Sequence, residues 1–251
     1  MSLSLHVVLS RWRWCLPLVS VGWLATGLNA QTNTAPSRPE ITDHYRTMVR
    51  YQRRMDGNVP DRAVVFIGDS LTQGLCTEAV ACPSVNYGIG SDTTVGVLGR
   101  LAGYRSLERA SAVVLAIGVN DLLFRDNPAI VENHRRILSA LPADLPVVCS
   151  ALLPVNEPVY GPSVVTNARI RELNTALKAL CASDPRCQFV DAGPRLVDAS
   201  GNLEERLQDG DGIHLNAAGN AIWIAELGVA VATARGRPRN SRDAGQPRGP
   251  E

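Results

Sequence analysis

The stretch Val64-Val65-Phe66-Ile67-Gly68-Asp69-Ser70-Leu71-Thr72 decides the fold. Its apolar residues run together without polar alternation, and the run stops at Gly-Asp-Ser. A strand that is apolar on both sides is a strand covered on both sides, as in a parallel sheet between two helix layers. Ser70 then stands where the chain leaves the sheet. It can cap the next helix, or it can present its hydroxyl at the sheet edge, or both.

Working outward, more runs of this kind appear. Ser84 to Gly88 (SVNYG), Ser111 to Gly118 (SAVVLAIG), Pro146 to Pro154 (PVVCSALLP) and Cys187 to Gly193 (CQFVDAG) read as short strands. Helical segments are expected between them. One covers about Ile41 to Met55, and another is capped by Asp92 or Thr93 and runs through Leu101. Asn127-Pro128 opens a third, to about Leu141, with the proline suited to a first turn. Val164 to Ala182 and Asn216 to Thr233 complete the set, the last packing Ile222, Ile224 and Leu227. This alternation predicts an α/β fold, a three-layer α/β/α sandwich. Its five-stranded parallel sheet is expected in the flavodoxin-like order 2-1-3-4-5, with right-handed crossovers.

The chain has 251 residues, 45% of them hydrophobic, enough for one sizeable core. A net charge of +1 calls for no nucleic-acid partner. Residues 1–30 read as an export signal: Arg11 and Arg13 precede an apolar stretch from Cys15 to Leu28. Ala25-Thr26-Gly27 and Leu28-Asn29-Ala30 are the candidate cleavage patterns, and an uncleaved anchor is the alternative. Residues 31–40 read as a linker, 41–234 as one domain and 235–251 as a disordered basic tail. The expected location is periplasmic or secreted, with no stable membrane insertion once the signal is removed.

Cysteine usage fits an oxidising compartment. Cys76 with Cys82, and Cys181 with Cys187, share one short spacing and are the candidate disulfides. Neither pair has C-x-x-C spacing or a companion histidine, so no metal site is expected. Cys149 lies in an apolar run and reads as a buried, inert thiol.

In doubly wound sheets the ligand site lies outside the carboxyl ends of the strands. Gly68-Asp69-Ser70 follows the first strand, Asn86-Tyr87-Gly88-Ile89-Gly90 spans the second, and Gly118-Val119-Asn120-Asp121 follows the third. In a 2-1-3 order these turns are neighbours. They bring together a hydroxyl, an approachable N–H and a carboxamide, the parts of an acyl-transfer site. Ser70 is the candidate nucleophile. The N–H groups of Ser70 and Gly88 and the Asn120 side chain are the candidate oxyanion hole. Asp211-Gly212-Ile213-His214 supplies a base and its orienter, close enough for one turn to point both side chains the same way. Asp209 is a rival orienter at a less compact spacing. Asp69 and Asp121 read as structural hydrogen-bonding residues and Gly90 as a turn glycine. His134, in VENHRRIL, reads as a surface residue, and His44 as lacking a partner.

Together these blocks resemble the SGNH, or GDSL, hydrolase family: Gly68-Asp69-Ser70-Leu71, then Gly88, then Gly118-Val119-Asn120-Asp121, then Asp211-Gly212-Ile213-His214. The blocks stand in the family's order and span most of the region after the signal. The resemblance implies a serine esterase with Ser70, His214 and Asp211 as its triad, and Ser70, Gly88 and Asn120 as its oxyanion hole. NYGIGSDTTVGVLGRL and ALLP further resemble the branch of platelet-activating-factor acetylhydrolases and bacterial acetylesterases. The expected partner is a small-molecule ester with a short acyl group, acetyl first, and no cofactor is required. A lysophospholipase or thioesterase activity and a non-catalytic binding module are the alternatives. An ordinary α/β-hydrolase would need G-x-S-x-G, and Thr72 holds the second glycine's place.

Overall fold

A computed structural model describes residues 40–236. The expected signal, residues 31–39 of the expected linker and the tail beyond Gly236 lie outside the described residues. Five strands form one sheet: β1 (Val64–Gly68), β2 (Ser84–Gly88), β3 (Ala112–Ala116), β4 (Val147–Ser150) and β5 (Cys187–Val190). All neighbours are parallel, in the order β2-β1-β3-β4-β5, as the sequence predicts. The strands end earlier than the apolar runs. Residues 117–118 and 151–154 leave the ladder and carry the chain outward at the carboxyl edge.

The doubly apolar pattern of β1 has a direct cause. Val65 and Ile67 pack into one core with Val113, Leu115, Val147 and Cys149. Val64 and Phe66 pack into a second core on the opposite face, with Ala112, Val114 and Val148. Successive side chains of a strand point to opposite faces, so a strand between two cores must be apolar at every position. Each such side chain contributes roughly 1.5–3 kcal/mol on full burial.

Helices α1 (Asp43–Asp56), α2 (Ser70–Gln73), α3 (Thr94–Arg100), α4 (Asn127–Ala140), α5 (Glu157–Tyr160), α6 (Asn167–Ala182) and α7 (Ala217–Gly236) complete the layers. Residues of α3, α4 and α6 cover the first core, and α7 covers the second through Trp223, Leu227, Ala230 and Val231. Thr42, Thr93, Asp126 and Thr166 each accept a first-turn N–H and set where α1, α3, α4 and α6 begin. For that reason α6 starts at Asn167 and not at Val164, which is exposed. Helix α7 continues past Thr233 to Gly236, so Arg235 belongs to it and not to a tail. Among the described residues α7 is the one helix long and apolar enough to cross a membrane. It packs instead on the sheet, with Leu227 and Ala234 fully buried.

A disulfide joins Cys181, at the end of α6, to Cys187, at the start of β5. It ties helix to strand and contributes about 2 kcal/mol for so small a loop. The other expected disulfide is not formed: Cys76 and Cys82 are free and exposed. Between them Glu78 accepts from the Cys82 thiol and from the Ser84 N–H at 3.0 Å. Cys149 is buried, and burial pushes its thiol up to about 12, as befits an inert position.

Candidate active site

The carboxyl edge brings three turns together. Gly68 is in register with Gly88 on one side and Ala116 on the other, so the segments after β1, β2 and β3 leave the sheet side by side. Asp69 caps α2 by accepting the Leu71 N–H at 3.0 Å. Ser70 follows as the first residue of the helix, where its N–H has no intrahelical acceptor. The helix is only one turn long, so Ser70 both opens it and presents its hydroxyl at the edge.

Ser70 Oγ lies 2.8 Å from His214 Nε2. His214 Nδ1 lies 2.5 Å from Asp211 Oδ2. The other Asp211 oxygen accepts the backbone N–H groups of His214 at 2.9 Å and Ile213 at 3.1 Å. Burial pushes the Asp211 carboxyl up, but these hydrogen bonds outweigh it and hold it below the usual carboxylate range. Asp211 therefore stays anionic, and its oxygen fixes the proton on Nδ1, leaving Nε2 to accept from serine. Asp209 makes no such approach; its N–H donates to the His214 carbonyl. The His214 and Asp211 side chains are 41% and 50% exposed, so the site is open.

Asn120 begins the turn after β3. Its Nδ2 donates to the Asp92 carbonyl at 3.0 Å, which orients the carboxamide and leaves a second N–H. Gly88 does not serve as expected. Its N–H donates to Asn86 Oδ1 at 2.8 Å. Its lack of a side chain has another use: a Cβ there would lie 2.2 Å from the Gln73 nitrogen. Gly88 is thus the contact that lets α2 settle on β2. The turn beyond it is tight, with Ser91 at φ 64° and the Asp92 N–H bonded to the Ile89 carbonyl.

Several supporting residues escaped the sequence reading. Asn86 Nδ2 donates to the carbonyls of Thr72 at 2.7 Å and Leu75 at 3.0 Å, pinning the end of α2. The signal was there: a carboxamide in an otherwise apolar strand needs partners. Arg100 is fully buried and pairs with buried Asp92 at 2.8 Å. It also donates to the carbonyls of Tyr87 at 2.8 Å and Gly68 at 3.2 Å, joining the ends of β1 and β2. His134 is buried, not on the surface. Its Nδ1 lies 3.0 Å from the Ile130 carbonyl, and a Cβ at Gly118 would meet its ring in ordinary contact at 3.6 Å. Burial holds that imidazole below its ordinary value. His44 also has a partner, Gln73 Oε1 at 3.3 Å, which in turn accepts the Gly90 N–H. Asp69 and Asp121 are buried hydrogen-bonding residues, as expected. Among the described residues no group of acids, histidines and cysteines has metal-site geometry.

The chain is also similar to known proteins in sequence and in fold. The chain is 30% identical over 173 residues to the rat platelet-activating factor acetylhydrolase IB subunit alpha1, spanning 65% of this chain and 72% of that one. The human counterpart gives 30% over 177 residues, 65% and 73% of the two chains. A GDSL-like lipase from Bacteroides thetaiotaomicron superposes with a TM-score of 0.64 at 20% identity, covering 74% of this chain and 98% of that one. An acetyl-xylooligosaccharide esterase variant from Geobacillus gives a TM-score of 0.55 at 15% identity, over 71% and 97%. The sequence profile of the GDSL-like lipase/acylhydrolase family matches residues 66–222. With that match on a five-stranded sheet in this order, the chain belongs to the GDSL-like lipase/acylhydrolase family and is a hydrolase acting on esters.

Proposed function

We propose that the protein is a serine esterase that cleaves short-acyl esters, acetyl first, through an acyl-Ser70 intermediate. The observation that carries this reading is the unbroken line from Asp211 Oδ2 through His214 to Ser70 Oγ, at 2.5 and 2.8 Å. Ser70 Oγ attacks the ester carbonyl while His214 Nε2 takes the hydroxyl proton. The carbonyl oxygen becomes an oxyanion, received by the Ser70 N–H and the second Asn120 N–H. Collapse breaks the bond to the leaving alcohol, and His214 returns the proton to that oxygen. Water then attacks the acyl group with the same base, releasing a carboxylic acid and restoring Ser70.

Two features support a short acyl group. The triad is open, and the segment after β4 forms only the short helix α5, whose Tyr160 nitrogen would lie 2.6 Å from a Cβ at Gly212. The acetylhydrolase relatives also act on acetyl esters by name. Trp223 is buried, so it offers no aromatic platform for a glycan. A second reading, a lipid acyl hydrolase, is favoured by exposed apolar residues near the edge. Leu123 and Phe124 follow the Asn120 turn, and Val159 lies on α5. The Cys181–Cys187 disulfide supports the reading that the protein is exported.

The deciding experiment is a rate series over p-nitrophenyl esters of increasing chain length, run beside Ser70→Ala. The expected profile peaks at acetyl, and Ser70→Ala lowers kcat by between about 10⁴ and 10⁶. A peak at long chains selects the lipid reading. Undiminished turnover by Ser70→Ala removes the serine mechanism altogether.

A further inference from the structure

The turns after β2 and β3 must keep a fixed separation for Asn120 to hold its place. One hydrogen bond, Asn120 Nδ2 to the Asp92 carbonyl, spans them directly. Immediately beside it runs a closed ring of contacts. Thr94 N–H and Oγ1 donate to the two Asp121 oxygens at 2.9 and 2.5 Å, and Asn133 braces the Thr94 hydroxyl at 2.8 Å. Asp121 pairs with Arg125, and Arg125 reaches on to Glu40. Glu40 closes the ring by accepting the Thr93 hydroxyl at 2.6 Å. Asp121 is covalently next to Asn120, and Thr93 next to Asp92, so the ring and the orienting hydrogen bond are adjacent rungs of one ladder.

Every member of that ring but one comes from the turns it joins or the helices that continue them. Glu40 comes from outside, from the segment that leads into α1. Resting on the proposed role of Asn120, we propose that Glu40 is a positioning residue for the oxyanion hole: it latches the entry to α1 across the β2 and β3 turns through Thr93 and Arg125. The Arg125 and Glu40 side chains are 15% and 24% exposed, so the pair is sheltered from most solvent screening.

Charge and geometry make opposite demands here, which gives the idea an edge. A carboxylate near a developing oxyanion opposes it, so on charge alone neutralising Glu40 should speed the reaction. The latch predicts a loss, because a misplaced donor is worth much less than an aligned one.

The test compares Glu40→Ala and Glu40→Gln with the wild-type chain, by steady-state kinetics on p-nitrophenyl acetate and by amide hydrogen exchange. In Glu40→Ala, kcat is expected to fall on the order of tenfold, less than the about 10²–10³ lost with an oxyanion donor itself. KM should hold, since bound ester makes little use of the hole before the oxyanion forms. Glu40→Gln should lie between, because its amide oxygen still accepts from Thr93 while the ion pair is lost. Exchange should accelerate in residues 91–94 and 119–122 and not in β1 or α7. Wild-type kcat in Glu40→Ala, a gain on neutralisation, or unchanged exchange in those two turns overturns the proposal. Ser70→Ala run alongside keeps the two ideas apart. Activity surviving there removes the serine reading, and the exchange result alone then decides the latch.

Discussion

Asp69 offers a measurement in which the sign, the size and the pH window all follow from the structure. Its side chain is buried, 2% exposed, at the N-terminus of α2. Burial, with Asp92 and Asp121 nearby, pushes its carboxyl from an ordinary 3.8 up to about 7. Between about pH 4 and 7 the native state therefore holds a proton that the unfolded chain has released, and stability falls as pH rises through that window. At about 1.36 kcal/mol per pH unit, the move from 3.8 to about 7 corresponds to about 4 kcal/mol. Asp69→Asn keeps the oxygen that accepts the Leu71 N–H and removes the titration. The two proteins should be nearly equal in stability near pH 4. Above pH 7 the variant should be the more stable, by up to about 4 kcal/mol. Urea unfolding between pH 4 and 8 reads this, with buried Trp223 as the fluorescent reporter. A gap that stays constant with pH, or that closes as pH rises, would refute the reasoning.

Other outcomes follow from the same contacts. Asn120→Ala should lower kcat by about 10²–10³ with little change in KM, read on acetyl esters. Arg100→Met should destabilise by about 3–5 kcal/mol in chemical denaturation, because it strands buried Asp92 and frees the carbonyls of Tyr87 and Gly68. Cys181→Ser should cost about 2 kcal/mol and abolish the protection that non-reducing conditions give the wild type.

The architecture was legible because each strand carries its own signature. A strand flanked by two cores cannot afford a polar face, and Val64 to Ile67 show none. The Asp211–His214–Ser70 contacts were legible because the carboxylate and imidazole stand three positions apart and the hydroxyl follows an unbroken apolar strand. What escaped the sequence were choices between equivalent partners. Gly88 could have turned its N–H to a substrate, but the Asn86 side chain folds back and takes it. Nothing in SVNYG says which way that carboxamide swings. His134 sits among charged neighbours in the sequence, and only the fold buries it, with Nδ1 against the Ile130 carbonyl. Arg100 looks like a surface residue until the ends of β1 and β2 supply it with acceptors. Cys76 and Cys82 have the same spacing as the bonded pair and yet stay free, so spacing alone does not decide the pairing.

The compactness of the Asp211–His214 pair has a kinetic corollary. Asp211 and His214 meet across a separation of three residues, so one turn can assemble them early and locally. The contact from His214 to Ser70 spans 144 residues and needs the whole sheet between them. Closing so long a loop waits on the core that rewards it. On the proposed mechanism, competence waits until the loop before α7 meets the turn after β1, and the ester-cleaving rate becomes a gauge of complete folding.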